Sequence, residues 1–387
     1  MKTIIVLYAN DTYSTTNEKK PMYLQKVCFK PMIEYCLETA NTYSSERPYI
    51  LTEDAAVVEK YGNNANIVKD FTQVADLEDA DYLVVINAAS PLINEEVIDH
   101  TISSMTLQNV DGAYAGEGLI IANKNLFHKV ENLISEDFDE ELAIGYCEEY
   151  SNETMVCSDR IDIAYADRLM RLNINFALMD QGVTIIDPES TYIEKGVIIG
   201  EDTIIYPGSF IEGNTTIGSN CEIYAGCNIK NAIIGNGVTV KNSTILDSSI
   251  DDSTTVGPYA YIRPNSVVGK NVKVGDFVEL KKANIGDGTK ISHLTYVGDA
   301  NVGKNVNFGC GTVVVNYDGK NKYLTEIGDN VFVGCNTNLV SPVKVGDDAF
   351  IAAGSTITDD VPNGGFAIAR QRQVNKSGWV KPKDRNK

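Results

Sequence analysis

The chain contains 387 residues, of which 43% are hydrophobic and 22% are charged, and this length and composition suit a globular protein of two domains. A formal charge of −20 argues against nucleic-acid and membrane-surface partners, because the phosphates of both would be repelled. No apolar stretch approaches the roughly 20 residues needed to cross a bilayer. The eight cysteines include no C-x-x-C pair, so we expect free thiols in a reducing cytoplasm.

The first part of the chain, to about residue 155, alternates short β-rich runs with segments of helical spacing. This alternation predicts an α/β layer with a mostly parallel sheet. The predicted strands are Thr3–Tyr8, Tyr49–Leu51 and Tyr82–Ile86, and the predicted helices are Pro31–Ala40, Asp54–Tyr61 and Glu95–Ser104.

A longer helix is predicted next, because apolar residues recur at helical spacing between Ile161 and Met179. We expect this helix to connect two domains. The predicted boundaries are 1–160 for the α/β domain, 161–185 for the connecting helix and 186–387 for a second domain with a C-terminal tail.

From Ile193 onward the sequence has a period of six. Isoleucines occupy positions 193, 199, 205, 211, 217, 223 and 229, and aliphatic residues keep the interval in later runs up to Ile357, with slips such as that from Leu280 to Ile285. Glycine, Asn or Asp commonly lies beside the aliphatic residue, where the chain must turn tightly. A β-sandwich would not keep one aliphatic residue at every sixth position. The repeat therefore predicts a parallel β-helix, in which each hexapeptide forms one face of a prism.

Three features of the repeats point to chemistry. The insertion VNYDGKNKYLTE interrupts the period between Val314 and Ile327 and is expected on the surface, where functional loops usually lie. His293 is the one histidine of the three that falls within the repeats. Arg263 and Lys281 are separated by three hexapeptides, which make one turn of the prism, so they should stack one coil apart. Stacked cations indicate a bound phosphate, with two solvated surface cations as the alternative.

Six stretches between Gly257 and Trp379 carry a family resemblance: GPYAYIRP, GDFVELKKANIG, SHLTYVGDANVG, NYDGKNKY, IGDNVFVG and AIARQRQVNKSGW. They resemble the acetyltransferase domain of the bacterial bifunctional N-acetylglucosamine-1-phosphate uridyltransferase/glucosamine-1-phosphate acetyltransferases. The resemblance implies a left-handed β-helix, since the hexapeptide family is the known exception to right-handed crossovers. It also implies a homotrimer that uses acetyl-CoA as co-substrate and needs no metal for acetyl transfer.

The same resemblance implies roles at matching positions. His293 falls on the general base, which takes a proton from the 2-amino group of glucosamine 1-phosphate as that nitrogen attacks the acetyl thioester. An imidazole suits this role because its ordinary pKa of roughly 6.5 lies near working pH. Glu279 falls on a position that orients the imidazole or the sugar amine. The implied substrate-binding residues are Arg263, Lys281, Tyr296, Asn307 and Lys322, and the implied acetyl-CoA-binding residues are Cys310, Asn316, Tyr317, Cys335, Ala353 and Arg370.

Two cysteines depart from the family pattern, which usually has alanine at Cys310 and serine at Cys335. The first change keeps the backbone N–H that the family uses to bind the thioester oxyanion. The second replaces a hydroxyl by a weaker thiol donor and would loosen acetyl-CoA binding. We expect no catalytic thiol at either position, because no second histidine is available to activate it. The tail around Trp379 and Lys381 is expected to help cover the cofactor on a neighbouring subunit.

The N-terminal domain resembles the uridyltransferase domain of the same family, but without its phosphate and metal chemistry. After the strand TIIVLY, the family's glycine-rich loop is replaced by ANDTYSTTNEKK, and the first glycine of the chain is Gly62. Without glycine the backbone cannot easily approach nucleotide phosphates. Ala89 stands where the family has a magnesium-binding aspartate, and Ser158 where it has an asparagine ligand. We therefore expect a degenerate nucleotidyltransferase-like α/β domain in which uridyl transfer is lost.

These expectations favour an N-acetyltransferase for glucosamine 1-phosphate in UDP-N-acetylglucosamine biosynthesis. One alternative is a non-catalytic trimeric scaffold or sensor that binds sugar phosphate, and another is an acetyltransferase for a different amino sugar. Intact His293, Glu279, Lys281 and Arg370 favour the enzyme, because a scaffold has no need for a base. The sequence leaves the gluco or galacto configuration of the sugar open.

Overall fold

The computed structural model of the protein describes residues 1–10, 20–74, 79–134, 144–147 and 149–379. They form two compact units, Met1–Ile174 and Asn175–Lys387. The division falls within the helix Arg160–Asp180, which the sequence predicted over nearly the same residues. Within the described residues, no helix is both long and apolar enough to cross a membrane.

The first unit contains nine strands and four further α-helices among its described residues. The strands are β1 (Thr3–Tyr8), β2 (Lys26–Val27), β3 (Lys30–Pro31), β4 (Tyr49–Leu51), β5 (Asn66–Val68), β6 (Tyr82–Asn87), β7 (Gly112–Ala115), β8 (Leu119–Asn123) and β9 (Ile144–Cys147). The helices are α1 (Met32–Tyr43), α2 (Ala55–Tyr61), α3 (Glu95–Gln108) and α4 (Val130–Ile134), and the helix Arg160–Asp180 is α5.

Seven of these strands form one mixed, mostly parallel sheet in the order β5-β4-β1-β6-β8-β7-β9. The apolar run of β1 is buried and pairs in parallel with β4 and β6, as expected for a central strand of an α/β layer. β8 is antiparallel to both of its neighbours. Side-chain caps start two of the helices: Asp54 accepts from the Ala56 N–H and Asn94 from the Val97 N–H. The three strands and three helices predicted for this unit are confirmed, with helix ends shifted by at most four residues.

The second unit is a parallel β-helix of two long sheets. One sheet has eleven strands: β10 (Thr184–Ile185), β13 (Ile204–Ile205), β16 (Glu222–Ile223), β19 (Thr239–Val240), β22 (Thr255–Val256), β25 (Lys273–Asp276), β27 (Lys290–His293), β29 (Asn307–Phe308), β32 (Phe332–Val333), β35 (Phe350–Ile351) and β37 (Phe366–Ala367). The other has seventeen strands and supplies the two remaining faces of each coil: β11 (Tyr192–Ile193), β12 (Ile198–Ile199), β14 (Phe210–Glu212), β15 (Thr216–Ile217), β17 (Asn228–Lys230), β18 (Ile233–Ile234), β20 (Thr244–Leu246), β21 (Ser249–Ile250), β23 (Tyr261–Ile262), β24 (Val267–Val268), β26 (Glu279–Ile285), β28 (Tyr296–Val302), β30 (Val313–Val315), β31 (Thr325–Ile327), β33 (Asn338–Val340), β34 (Val343–Val345) and β36 (Thr356–Ile357).

The hexapeptide period places one aliphatic side chain of every face inside the coil. Ile193 stacks on Ile211, and Ile211 on Ile229, at the expected interval of three hexapeptides. These side chains are almost completely buried, as are the later members of the series up to Ile357. Corners are formed largely by residues in the left-handed region, for example Asn265 at φ 63°. Asparagine tolerates that region better than most non-glycine residues.

One corner departs from the regular repeat in three successive coils, as it also does after Ile229 and Ile245. The interval between inward residues shortens to five from Leu280 to Ile285 and again from Val297 to Val302. In the next coil the same corner carries the insertion between β30 and β31. The insertion turns back on itself through an antiparallel bridge between Tyr317 and Lys322, which confirms the predicted surface excursion.

Candidate active site

His293 lies at the end of β27, and its imidazole is paired with a carboxylate. Its Nδ1 is 2.6 Å from Oδ1 of Asp276, the last residue of β25, and the two residues are register partners. The His293 side chain is 54% exposed, so the rest of the ring faces solvent. Because an ionised carboxylate only accepts hydrogen bonds, Nδ1 carries the hydrogen and Nε2 keeps its lone pair. The ring is thus held with a proton acceptor directed away from the protein.

The sequence analysis did not identify Asp276. Glu279, which was expected to orient the imidazole or the sugar amine, lies beyond the corner on β26, and its Oε1 contacts Arg263 Nη1 at 2.8 Å. Of its two expected roles, only that toward the sugar amine stays a prediction. The sequence did contain a signal that could have identified Asp276. The shortened corner makes this coil one residue shorter than three hexapeptides, and the residue that precedes His293 by this shortened interval is Asp276.

His293 belongs to a line of stacked corner positions, which we call the axial row: Asp276, His293, Cys310, Cys335 and Ala353. Each lies two residues after a stacked inward residue, along the register β25–β27–β29–β32–β35. Backbone hydrogen bonds follow this register: the N–H groups after each position, at Leu294, Asn336 and Gly354, donate to the carbonyls of Asp276, Cys310 and Cys335. The row joins the expected base to three of the expected acetyl-CoA-binding residues.

Glycines beside the axial row allow its coils to approach closely. A Cβ on Gly309 would overlap the backbone nitrogen of Cys335, and one on Gly334 would overlap that of Ala353. At the far end of the row, the Arg370 side chain lies 3.6 Å from a Cβ built on Gly354, in van der Waals distance. The structure therefore places Arg370 beside the end of the row.

A second group, the cation cluster, lies at the irregular corner and consists of Arg263, Lys281 and Lys322. The close approach of Lys322, with burial and the charge of Arg263, lowers the pKa of Lys281. Glu279 offsets part of the charge of Arg263 and raises the pKa of the guanidinium. The expected proximity of Arg263 and Lys281 is found, but the strongest repulsion is between the two lysines.

Three polar side chains extend this cluster. Asn316 is buried, and its Nδ2 donates a short hydrogen bond to Oδ2 of Asp299. Tyr296 is half-buried beside Asn316, and burial with the carboxylates of Glu279 and Asp299 raises its pKa. Asp299 was not predicted, although it lies within the quoted motif SHLTYVGDANVG. These groups give the site hydrogen-bonding capacity next to its cations.

The other expected residues lie apart from these two groups. Asn307 begins β29 and pairs with Lys290, three residues before the axial row. The Tyr317 hydroxyl donates to the Gly319 carbonyl oxygen within the insertion. Trp379 is exposed, with Lys376 Nζ 5.3 Å from its ring centroid. Lys381 lies outside the described residues.

In the first unit, the two expected metal-ligand positions carry no carboxylate. Ala89 is buried after β6, and its N–H donates to the Asn87 side chain. The Ser158 hydroxyl donates to Asp162 at 2.8 Å. A cavity of about 350 Å³ opens at the carboxyl ends of β1 and β6, and Glu117 is the one charged residue among its described lining residues. The replaced glycine-rich loop falls largely on residues outside the described part of the chain.

The coils of the β-helix, the six-residue repeat and the site around His293 together define a protein of the hexapeptide transferase class. The family described as bacterial transferase hexapeptide (six repeats) matches residues 196–231 and 324–359. The GMPPB C-terminal domain matches residues 247–331. These matches and the strand topology confirm the expected left-handed β-helix fold.

Similarity to named proteins shows the family to which this chain belongs. The bifunctional protein GlmU of Clostridium botulinum (strain 657 / Type Ba4) is 47% identical over 320 residues, which cover 82% of this chain and 67% of that protein. GlmU of Clostridium kluyveri is 60% identical over 228 residues, or 59% of this chain and 50% of that protein. The chain belongs to the GlmU family, and it spans about half the length of the second relative. Among solved structures, an Arabidopsis UDP-N-acetylglucosamine acyltransferase aligns with a TM-score of 0.40 and 17% identity, over 46% of this chain and 69% of that one.

Proposed function

We propose that the protein is a homotrimeric, cytoplasmic N-acetyltransferase that moves the acetyl group of acetyl-CoA to the 2-amino group of glucosamine 1-phosphate, in UDP-N-acetylglucosamine biosynthesis. The observation that carries the proposal is the exposed imidazole of His293, held by Asp276 with Nε2 free to accept a proton. Membership of the GlmU family and the quoted motifs support it.

His293 acts as the general base. An amine must lose a proton as its nitrogen attacks a thioester carbonyl, and a positioned imidazole accepts that proton near neutral pH. Asp276 holds the ring in the required tautomer and stabilises the imidazolium that forms. His293 lies three residues before Tyr296, so at most about 11 Å of chain separates the base from Tyr296, which extends the cation cluster.

The cation cluster binds the phosphate of the amino sugar. Lys281 and Lys322 are close enough for their repulsion to lower the pKa of Lys281, and a phosphate dianion between them would relieve that repulsion. Arg263 adds a planar donor suited to phosphate oxygens. Tyr296, Asn307 and Asn316 supply hydrogen bonds to the sugar and reacting groups.

The axial row supports acetyl-CoA. Neighbouring coils lie about 4.8 Å apart, so the three steps from His293 to Ala353 span about 14 Å. Cys310, Cys335 and Ala353 are small and leave the corner open to an extended ligand. Arg370 lies beside the far end, where it can bind a phosphate of the nucleotide part. With the nucleotide part of acetyl-CoA at Arg370, its acetyl end lies at the opposite end of the axial row, next to the base His293.

A backbone N–H at Cys310 stabilises the oxyanion of the thioester. Within the described part of the chain this N–H has no acceptor, and it lies one coil beyond His293 in the axial row. A donor aimed at charge that develops during reaction is worth more than one already bonded in the ground state. The thiol of Cys310 has no role in this scheme.

The test follows thiol release from acetyl-CoA with glucosamine 1-phosphate, galactosamine 1-phosphate and glucosamine 6-phosphate. We expect turnover with the first. Lys322→Met should raise its KM about tenfold or more, whereas Lys320→Met, in the same insertion but outside the cation cluster, should not. Binding of amino-sugar phosphates without any thiol release would favour the scaffold, and turnover restricted to another sugar would change the substrate.

We also propose that the first unit no longer transfers uridyl groups. Such transfer needs magnesium and a loop that cradles the triphosphate. The alanine and serine at positions 89 and 158, and the lack of a cationic side chain among the described residues of the cavity, support this loss. Pyrophosphate release from UTP, magnesium and N-acetylglucosamine 1-phosphate should be negligible, and a rate near that of acetyl transfer would contradict the proposal.

A further inference from the structure

A thiol, an imidazole and a carboxylate follow one another in a chain of contacts on the first unit, which does not contain the candidate active site. Sγ of Cys147, at the end of β9, is 3.3 Å from Nδ1 of His100 on α3. Nε2 of the same imidazole is 2.8 Å from Oε2 of Glu149, in the turn that follows β9. Neither the hexapeptide motifs nor the acetyl-transfer scheme involves these residues.

The order of the contacts determines where the ring proton lies. The well-exposed carboxylate of Glu149 accepts a hydrogen bond from Nε2–H. Nδ1 is then left with its lone pair, directed at the Cys147 thiol. An acid, an imidazole and a nucleophile in this order form the arrangement by which a base activates a thiol. The Tyr150 ring packs edge-on against the imidazole, at 5.1 Å between centroids, and limits its rotation.

The other buried thiols of this unit have different surroundings. Cys36 is completely buried and its Sγ donates to backbone carbonyls, including that of Ser90 at 3.4 Å, and burial raises its pKa to about 12. Burial likewise raises the pKa of Cys157 to about 12. Only ionised thiols are good nucleophiles, so these two should be inert. Cys147 differs because a base faces its sulfur.

We propose that Cys147 is a peroxide-reactive thiol activated by His100 and Glu149. His100 takes the thiol proton, and the thiolate sulfur attacks one oxygen of hydrogen peroxide. The O–O bond breaks, sulfur is oxidised by two electrons to a sulfenic acid, and the leaving hydroxide takes the proton from the imidazolium to become water. Cys147 is 6% exposed, which favours a small oxidant over bulky disulfides.

The test uses the full chain, which is reduced, treated with limiting hydrogen peroxide and then unfolded in dimedone, so that this trap for sulfenic acids reaches every cysteine. Peptide mass spectrometry then gives the labelling rate at each cysteine separately. We expect Cys147 to be labelled at least about tenfold faster than Cys36, and His100→Ala to lower that rate about tenfold or more. Glu149→Gln should lower it less, because the imidazole stays in place. Acetyl-transfer activity does not enter the measurement.

Glu96→Gln is the matched control. Glu96 lies on α3 near the cluster and accepts a hydrogen bond from the Tyr150 hydroxyl at 3.3 Å, without contacting the thiol. Its replacement should leave the labelling of Cys147 unchanged. If exposed Cys335 is labelled while Cys147 reacts no faster than Cys36, exposure alone controls oxidation and the proposal is overturned. The same holds if both His100→Ala and Glu149→Gln, checked for folding by thermal denaturation, keep the original rate.

Discussion

Replacing Asp276 by Asn tests the base and its partner together. The carboxylate is 2.6 Å from the imidazole and 36% exposed, and the amide would keep its shape but remove its charge. The amide can also donate to Nδ1, which would move the ring hydrogen to Nε2 and remove the proton acceptor. In a buried triad the equivalent change lowers kcat about 10⁴-fold, but solvent screens this pair, so we expect a loss of about 10- to 100-fold.

The assay measures kcat and KM for glucosamine 1-phosphate by thiol release. The loss should appear in kcat, with KM nearly unchanged, because the cation cluster is untouched. Asp287→Asn is a matched control: Asp287 is another exposed aspartate of the β-helix, and its described partners are Lys304, at 3.3 Å, and the Lys270 backbone N–H. A kcat within twofold of the unmodified protein, or an equal loss in the control, would refute the role of Asp276.

Stability gives the same pair a second readout. The hydrogen bond from His293 lowers the pKa of Asp276, so the folded state holds this carboxylate ionised more strongly than the unfolded chain does. Its stabilising effect is therefore present above the ordinary aspartate pKa of about 3.9 and is lost as pH falls through the lower, folded value. Urea midpoints of the unmodified protein and Asp276→Asn should differ at pH 7 and converge in acid. A difference in urea midpoint that persists in acid would show that the charge of Asp276 is not the source of the stabilisation.

Three further predictions address the base, the assembly and the coil spacing. His293→Ala should lower kcat by about 10²–10⁴-fold and leave sugar-phosphate binding nearly intact, as measured by calorimetry. Light scattering at micromolar concentration should give the mass of a trimer, and a monomer mass would count against the proposed assembly. Gly298→Ala should raise the sugar KM at little cost in stability, because its Cβ would overlap the movable Tyr296 hydroxyl. Gly309→Ala should instead destabilise by about 1–3 kcal/mol in urea denaturation, because its Cβ meets the backbone of Cys335.

The sequence predicted the interior of the β-helix far better than its surface. Each inward residue is set by its own hexapeptide, so the period identified the buried positions from Ile193 to Ile357. Outward contacts depend on the length of each coil. The interval from Asp276 to His293 is one residue shorter than three hexapeptides, and the insertion makes the interval from Cys310 to Cys335 longer than three hexapeptides. Counting in whole hexapeptides therefore misses the axial row.

The cluster at Cys147 shows a different limit. His100 and Cys147 lie on separate elements, 47 residues apart, and meet because α3 packs against β9. Neither residue lies in a motif, and a period cannot reveal a contact made by tertiary packing. The short strands β7 and β9, GAYA and IGYC, were also missed, because each contains a glycine, a residue that is depleted in strands.

Departures from the hexapeptide period mark the cation cluster, but shortened corners alone do not make a site. Lys281 lies in the first shortened corner, Asp299 in the second, and Lys322 in the insertion at the same corner of the next coil. Shortened corners also follow Ile229 and Ile245 in two successive coils, yet Lys230 in the first of them is neutralised by Glu212 at 2.9 Å. The difference is the insertion, which brings a second lysine to the corner, so that three cations face the two carboxylates of Glu279 and Asp299. Because buried aliphatic residues fix the strands, residues are lost or gained at corners, and the excess positive charge of the cation cluster lies where two successive shortened corners precede the insertion.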